Sequence, residues 1–309
     1  MLVMLPMGGC AACGAPVALS VNMFRMSRHD PAALAQAFAA LVGQEVEDDR
    51  IDLVRAALVI AQTEYPSLNI DAYCARIEDL ARRVKRLVPD LGNPSESIAA
   101  LNRALFEEEA FRGNAEDYYD PRNSFLNDVL DRKLGIPITL AVVYMEVARR
   151  VGFPLVGVGM PGHFLLKHYD IEGHEILIDP FNRGSILTAK DCQRALDQIY
   201  DGQMPLQPEF LMAVSRRQVL VRMLNNLKSI YLSARNFRKA LPIVDLILAI
   251  YPRSPEDVKQ RAMLRWSLGH ARGALADLED YLKMSPEASD ADEIRQTAAS
   301  LRRMMATMN

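Results

Sequence analysis

The sequence predicts a predominantly helical α+β fold, in which a domain with a small antiparallel sheet precedes a tail of helical hairpins. Three observations support this prediction. Apolar residues recur at helical spacing in most of the chain. Within residues 155–179 the pattern changes to short runs that are typical of strands. Towards the C-terminus, similar residues return 34 positions later, as they do in stacked helical hairpins.

The composition is that of an ordinary globular chain. Of the 309 residues, 50% are hydrophobic, and 36 basic against 39 acidic side chains give a net charge of −3. Such a small net charge produces no strong electrostatic field, so we expect neither nucleic acid nor a membrane surface as a partner. No run approaches the roughly 20 apolar residues of a membrane-spanning helix. The cysteines form no disulfide framework, which favours a reducing cytoplasm. They are Cys10, Cys13, Cys74 and Cys192.

The first 25 residues differ from the rest of the chain. Residues 1–21 are apolar, but they lack the positively charged start of a secretory signal and are interrupted by Gly and Pro. We expect residues 1–25 to be a disordered extension, or to precede a true start at Met26. Cys10 and Cys13 have the spacing of a redox or metal-binding pair, but no second pair or βα pattern accompanies them.

The helices before the sheet are predicted from their first residues and their apolar faces. Asp30 and Pro31 suit the start of a helix that continues through Leu41. Residues 51–62 are apolar nearly all round, which is typical of a helix buried among others. The next helix has one apolar stripe at spacings of four and three residues. The stripe consists of Tyr73, Ile77, Leu80, Val84 and Leu87.

Two further helices lead into the strands. Residues 124–133 are predicted to form a short helix. Pro137 suits the first turn of a second helix, which runs through Arg150 and is apolar almost throughout. We therefore place this helix at the centre of the domain, and we expect Gly152 to end it.

Two of the three strand-like runs are predicted to form a hairpin. The runs span residues 155–160, 164–169 and 175–179. Residues 170–173 are a turn. A hairpin centred near position 171 brings His163 opposite Asp179, within about one position. An imidazole held by a carboxylate is the orienting half of a nucleophile–base–acid triad, so this pair is the candidate catalytic site.

Other interpretations of these side chains remain open at this point. His163 can be a buried histidine with a structural hydrogen bond, and Asp179 can cap the turn that begins at Pro180. His163 and His168 are five residues apart on one predicted strand, so their side chains are expected on opposite faces. That geometry argues against a zinc site that also uses His174, and we expect no metal and no cofactor.

The tail contains an internal repeat. The matched pairs are Ala240 and Ala274, Leu241 and Leu275, Leu248 and Leu282, and Pro252 and Pro286. A 34-residue period, with a small residue entering the second helix and Pro after it, indicates tetratricopeptide (TPR) helical hairpins. Two units are fewer than the roughly three needed for independent stability, so we expect them to dock on the preceding domain. We assign residues 26–200 to the α+β domain and 201–309 to the TPR-like helical domain.

Five motifs occur in a fixed order along the chain. They are Tyr118-Tyr-Asp-Pro-Arg-Asn-Ser124, Leu126-Asn-Asp-Val-Leu130, Gly135-Ile-Pro-Ile-Thr-Leu140, Pro161-Gly-His-Phe-Leu165 and Asp179-Pro-Phe-Asn182. Together they resemble the bacterial SirB-type family, from about Asp52 to the C-terminus. The resemblance implies a papain/transglutaminase-like core, in which a central helix packs against a small antiparallel sheet, followed by TPR-like helices.

The resemblance also implies where a nucleophile would lie. Active transglutaminase-like enzymes have a cysteine at the start of the central helix, a histidine on one strand, and an aspartate before a proline on the next. His163 and Asp179 match the last two. The cysteine position falls at Pro137, or within one or two residues of it, and proline offers no nucleophile. Thr139 and Ser124 are the nearby hydroxyls that could replace it, although both also suit helix capping.

Two functions from different classes follow from these observations. The favoured one is a pseudoenzyme core that binds a protein or peptide and acts in regulation, with the TPR-like tail as a second surface. Its candidate binding residues are Asn123, Pro137, Gly162, Phe164 and Asn182. The alternative is an amidase or peptidase-like hydrolase in which His163 is the base, Asp179 orients it, and water or a hydroxyl attacks.

Overall fold

The structure, a computed structural model, describes residues 30–88 and 93–307. The predictions made for residues 1–25, including those for Cys10 and Cys13, lie outside the described residues. The described chain is predominantly helical with a small antiparallel sheet, which confirms the predicted α+β class.

Four helices precede the core, and side-chain capping starts each of them. They are α1 (Pro31–Val42), α2 (Leu53–Ala61), α3 (Ile70–Leu87) and α4 (Pro94–Asn102). In each case an Asp or Asn side chain just before the helix accepts a hydrogen bond from a backbone N–H of the first turn. The helix α2 is buried along nearly its whole length, as its all-round apolar sequence predicts. A π-helical turn, Arg103–Glu108, follows α4.

The centre of the domain is formed by two helices, α5 (Leu126–Arg132) and α6 (Pro137–Val151). Every residue of α6 is buried except Arg149 and Arg150, so the prediction of a central helix is confirmed. Gly152 ends α6 in the left-handed region, at φ +92°. The strand β1 (Arg112–Gly113), which precedes α5 in the chain, and the strand β2 (Leu134–Gly135), which lies between α5 and α6, form a short parallel ladder.

The main sheet has five strands in the order β6-β5-β4-β3-β7, and all neighbours are antiparallel. The strands are β3 (Val156–Val158), β4 (Leu165–Tyr169), β5 (Glu175–Asp179), β6 (Ser185–Leu187) and β7 (Ala213–Val214). One face, with Leu166 and Ile178, belongs to the main core around α6. The other face, with Leu165 and Leu177, packs against the helix α7 (Ala189–Tyr200).

The register of the β4–β5 hairpin differs from the prediction. In the predicted register His163 lies opposite Asp179, whereas in the structure Leu166 pairs with Ile178, a shift of two positions on β4. The N–H of Asp170 donates to the carbonyl of His174 at 3.1 Å, so the connecting loop has three residues. Gly173, at φ +84°, supplies the left-handed residue that closes such a loop.

The environment of His163 and His168 also differs from the prediction. His163 lies in the turn before β4 rather than on the strand, so the prediction that His163 and His168 share one strand is wrong. Nδ1 of His168 is 3.0 Å from the carbonyl oxygen of Pro154, and its ring stacks on Phe153. In the two described ranges, no three His, Cys, Asp or Glu side chains are grouped as a metal site requires.

The tail consists of antiparallel helices, as the 34-residue period predicts. They are α8 (Arg216–Ser233), α9 (Phe237–Ile250), α10 (Pro255–Ser267), α11 (Ala271–Met284) and α12 (Ala291–Thr307). The repeated residues Ala240 and Ala274 are both fully buried. The tail docks on the preceding domain, since buried residues of both parts form one main core. The strand β7 comes from the stretch assigned to the tail, and the boundary after residue 200 stays a prediction.

No helix within the described ranges is both long enough and apolar enough to cross a lipid bilayer.

Candidate functional site

Asp179, the last residue of β5, is the centre of the candidate site. Its carboxylate is almost fully buried and accepts four hydrogen bonds. The donors are His163 Nε2 at 2.8 Å, Asn182 Nδ2 at 2.7 Å, and the backbone N–H groups of Phe181 at 3.0 Å and Asn182 at 3.2 Å. Burial acts to raise the pKa of Asp179. The interaction with His163 and the side-chain and backbone hydrogen bonds from Asn182 act in the opposite direction, and the pKa lies below its usual value. Asp179 therefore caps the following turn and holds His163 at the same time.

His163 presents one ring nitrogen to Asp179 and leaves the other available. An ionised carboxylate only accepts hydrogen bonds, so Nε2 of His163 carries a proton. Among the described residues, Nδ1 has no hydrogen-bond partner. The side chain is 12% exposed, and the ring meets Phe181 edge-on at 6.0 Å between centroids. A neutral His163 can therefore accept a proton, or a hydrogen bond from a ligand, at Nδ1.

The turn that precedes β4 fixes the position of His163. The N–H of His163 donates to the carbonyl of Met160 at 3.1 Å. Gly162 has φ +70°, and a Cβ atom there would lie 2.9 Å from Cδ1 of Ile199 on α7. The left-handed backbone conformation therefore favours glycine at position 162, and an added Cβ would also displace the exposed Ile199 side chain.

Arg222 of α8 also supports this turn. Its Nη2 donates to the carbonyls of Met160 at 2.8 Å and His163 at 2.6 Å. The guanidinium also lies over the ring of Phe164, at 5.5 Å from the centroid. Phe164, a predicted binding residue, is fully buried and serves here as a packing residue. Sequence reasoning missed Arg222, because one arginine among the apolar residues of an amphipathic helix gives no distinctive signal.

The start of α6, where the family resemblance implies the cysteine of active enzymes, is occupied by buried residues. Pro137 is buried in the first turn. The buried Thr139 Oγ1 donates to the carbonyl of Asn123 at 2.8 Å and accepts from the N–H of Ile136 at 3.1 Å. Thr139 is therefore occupied with backbone groups, as its capping interpretation predicts. In the described ranges it makes no hydrogen bond to His163.

Ser124 does not have the capping role considered for it. The residue before α5 is Phe125, and Ser124 lies one position earlier. The Ser124 hydroxyl is buried, and within the described part of the chain it has no hydrogen-bond partner. Its geometry thus shows neither a capping interaction nor an interaction with His163.

Asn123, another predicted binding residue, uses its side chain inside the chain. Its Nδ2 donates to the carbonyl of Asp117 at 2.7 Å. Its Oδ1 accepts from Asn114 at 3.1 Å and from Arg132 at 3.3 Å. Asn182 is instead exposed next to the Asp179 carboxylate. Roles of Asn123 and Asn182 in ligand binding stay predictions.

The two cysteines that the structure describes lie on other elements. Cys74 is on α3, and the fully buried Cys192 is on α7. Burial raises the pKa of both thiols, which keeps them protonated at neutral pH. Neither therefore has the properties of the activated thiolate that a transglutaminase-like enzyme needs.

Comparison with known proteins agrees with this architecture. The transglutaminase-like superfamily profile matches residues 71–225, and a tetratricopeptide repeat profile matches residues 227–299. The UPF0162 protein of Xylella fastidiosa (strain Temecula1) is 37% identical over 253 residues, 81% of this chain and 90% of that protein. Protein SirB1 of Salmonella typhimurium is 25% identical over 219 residues, 71% and 81% of the two chains.

A eukaryotic protein is similar to part of this chain. F-box only protein 21 of Mus musculus is 31% identical over 195 residues, which cover 59% of this chain and 30% of that protein. The extent of the superfamily match, the TPR match and the bacterial relatives all agree. The chain therefore belongs to the transglutaminase-like superfamily, as a SirB-type member with a TPR tail.

Proposed function

We propose that this protein is a pseudoenzyme that binds a protein or peptide at the His163–Asp179 site. The observation that supports this most strongly is the lack of an available nucleophile at the start of α6 among the described residues. Pro137 is buried there, and the Thr139 hydroxyl is hydrogen-bonded to backbone groups. A covalent mechanism needs an activated nucleophile at that point. The His163–Asp179 pair then serves as a polar recognition element with one available nitrogen, Nδ1.

Exposed aromatic side chains near the site support a binding role. Tyr118 and Tyr119 are 37% and 75% exposed, and their rings meet edge-on at 5.4 Å between centroids. Burial raises the pKa of Tyr118 above its ordinary value, and the positive charge of the neighbouring Arg222 opposes that increase. Tyrosine is enriched at protein interfaces and among the residues that dominate their binding energy. We therefore assign Tyr118 and Tyr119 to the rim of the site.

The tail is proposed as a second interaction surface. Met263 and Trp266 on α10 are large apolar side chains that remain substantially exposed. The similarity of 195 residues to part of the much longer F-box only protein 21 also supports a module that works with partners. We propose a regulatory role and a cytoplasmic location, the latter supported by the free thiols of Cys74 and Cys192.

The second candidate function is hydrolysis of an amide or peptide with water as nucleophile. The observation in its favour is the retained pair, in which the lowered pKa of Asp179 keeps the carboxylate ionised and able to orient His163. His163 Nδ1 would accept a proton from water. This candidate needs a substrate carbonyl held beside His163.

An affinity selection with the full-length chain distinguishes these functions. A random peptide library is incubated with the protein, and both the retained peptides and any changed masses are identified by mass spectrometry. We expect peptides to be retained with unchanged masses. Changed masses that disappear with His163→Ala would establish the hydrolase instead, and an absence of retained peptides would contradict the binding function.

The site itself is tested with a matched pair of variants. Tyr119→Ala removes an exposed ring from the proposed rim, whereas Tyr169→Ala removes an exposed ring from the far end of β4. Loss of an interface aromatic commonly weakens binding about fivefold or more. We expect that loss for Tyr119→Ala and unchanged affinity for Tyr169→Ala. Equal effects of the two would place the peptide elsewhere.

A further inference from the structure

The helix α8 bears two arginines that are neutralised by carboxylates of the preceding domain. Arg216 Nη1 lies 2.9 Å from Glu146 Oε1, and Arg217 Nη1 lies 3.4 Å from Asp48 Oδ1. Arg222, about one and a half turns further along, has no carboxylate partner among the described residues. Its polar contacts are the two carbonyls of the His163 turn.

Arg222 is partly buried, so the lack of a carboxylate partner among the described residues has an energetic cost. Burial lowers the pKa of Arg222, and the groups that act in the opposite direction are Tyr118 and Tyr200 rather than an acidic residue. Removing a guanidinium from water without a counter-ion is costly. An anion that binds at this point would offset that cost, and the chain supplies none within the described ranges.

Arg222 retains donors for such an anion. A guanidinium has five N–H groups in a planar fork. Nη2 is occupied by Met160 and His163, and in the described part of the molecule Nε and Nη1 have no hydrogen-bond acceptor. Arg222 is also only partly buried, so a ligand can reach it. The free donors lie on the group that contacts the backbone of His163 directly.

We propose that Arg222 binds a carboxylate of the peptide that occupies the His163–Asp179 site. A carboxylate matches the planar donor geometry of a guanidinium and supplies the missing negative charge. Tyr118 and Tyr200 would flank it, since both are close enough to Arg222 to affect its pKa. The proposal rests on the proposed peptide-binding function and defines the chemistry of its ligand.

The carboxylate can come from an Asp or Glu side chain or from the C-terminus of the peptide, and three synthetic libraries separate these sources. Each contains nine-residue peptides that are random except at the centre. The first has a central Glu and an amidated end, the second a central Gln and an amidated end, and the third a central Gln and a free acid end. None of the random positions includes Asp or Glu.

The libraries are applied to the full-length protein and to three variants. Arg222→Met removes the charge, and Arg222→Lys keeps a charge and a donor for the turn but loses the planar fork. Arg238→Met is the matched control, because Arg238 is an exposed arginine on α9. We expect at least about tenfold greater retention of one acid library over the Gln-amide library. Arg222→Met should abolish that preference, Arg222→Lys should reduce it, and Arg238→Met should preserve it.

The outcomes separate this inference from the proposed function. Equal retention of all three libraries by the wild-type protein overturns the carboxylate site and leaves peptide binding intact. Retention of none overturns the peptide-binding function together with the site. If Arg222→Met does not fold, the wild-type preference and its decrease at high salt decide the question. A preference that salt does not weaken, or a ratio near one, contradicts an ionic contact at Arg222.

Discussion

At the scale of single residues, the site depends on where its histidine–aspartate pair is buried. His163 and Asp179 lie 2.8 Å apart with both side chains mostly withdrawn from solvent. His174 and Asp170 form a similar pair at the loop end of the same hairpin, at 3.0 Å, but His174 is 70% exposed. The two pairs have the same chemistry in different surroundings, so they provide an internal comparison of what burial contributes.

The first prediction compares the two histidines. Replacing His163 with Gln removes the imidazole N–H that donates to the buried Asp179 carboxylate, so we expect His163→Gln to lower the free energy of unfolding by about 1–3 kcal/mol. Because water already solvates His174, His174→Gln should leave that free energy nearly unchanged. Urea denaturation followed by circular dichroism measures both. Similar losses for the two variants would mean that burial of the His163 pair has no energetic consequence.

At the level of secondary-structure elements, the Thr139 hydroxyl stabilises the start of α6 through hydrogen bonds to the backbone, whereas the nearby Ser124 hydroxyl makes no such bond among the described residues. Thr139 connects the first turn of α6 to Asn123 and to Ile136. Ser124, just after Asn123, has a buried hydroxyl without a partner in the described residues. This difference identifies Thr139 as a structural residue of α6 and gives Ser124 no comparable structural role.

The second prediction follows from that difference. Thr139→Val keeps the shape of the side chain but leaves the buried Ile136 N–H and Asn123 carbonyl without this partner, so we expect a loss of about 1–3 kcal/mol in unfolding free energy. Ser124→Ala removes an unpaired buried hydroxyl and should change stability by less than about 0.5 kcal/mol. Thermal and urea unfolding of both variants provide the measurement. A large loss for Ser124→Ala would reveal a hydrogen bond that this account lacks.

Elements were predictable from sequence where local chemistry determines them. The helix start at Asp30 and the central helix from Pro137 follow from capping residues and apolar pattern alone. The register of the β4–β5 hairpin could not be predicted from the sequence. A turn such as residues 170–173 is compatible with loops of different length, and each added loop residue shifts the strand pairing. His163 nevertheless reaches Asp179 from the turn before β4, a contact that pairing rules do not describe.

At the scale of the whole molecule, one buried carboxylate joins the two parts of the chain. Glu146 on α6 is fully buried and contacts Arg149 at 3.0 Å, Arg150 at 2.6 Å and Arg216 at 2.9 Å. Arg216 begins α8 and also donates to the carbonyl of Ile51 at 3.0 Å. The tail is therefore tied to the central helix by an ion cluster as well as by the shared main core.

The third prediction concerns acid stability. Burial acts to raise the pKa of Glu146, but Arg149, Arg150 and Arg216 lower it below its usual value. The folded protein therefore binds this proton less readily than the unfolded chain, where a glutamate has a pKa of about 4.3. The stabilisation is complete above that value and is lost as pH falls through the lower folded pKa. Asp179, also lowered, contributes with the same sign.

Urea denaturation between pH 7 and pH 3 measures this effect. We expect Glu146→Gln to lower the unfolding free energy by about 3–5 kcal/mol at pH 7, because three arginines then lose their shared partner. The variant should also lose less stability than the wild type between pH 5 and pH 3. Glu293→Gln, which alters an exposed residue of α12, is the matched control. A Glu146→Gln protein with the wild-type acid loss would contradict this assignment.

The long-range contacts of the site could not be predicted from sequence. Glu146 and Arg216 are separated by 70 positions, and Arg222 is separated from His163 by 59. Apolar periodicity determines which face of a helix is buried, but it does not determine which charged residue meets which carbonyl or carboxylate. The sequence therefore predicts the His163–Asp179 pair and the missing cysteine, whereas the role of Arg222 depends on how the tail docks.

A time course of a retained peptide with the protein tests most directly whether the His163–Asp179 site binds peptide without reacting with it. Equimolar peptide and full-length protein are incubated for hours, and the masses of both are followed by mass spectrometry, with His163→Ala in parallel. We expect the peptide to stay intact and the protein to gain no covalent adduct in either sample. Cleaved or deamidated peptide, or an adduct on the protein, that appears with the wild type and is absent with His163→Ala would contradict it.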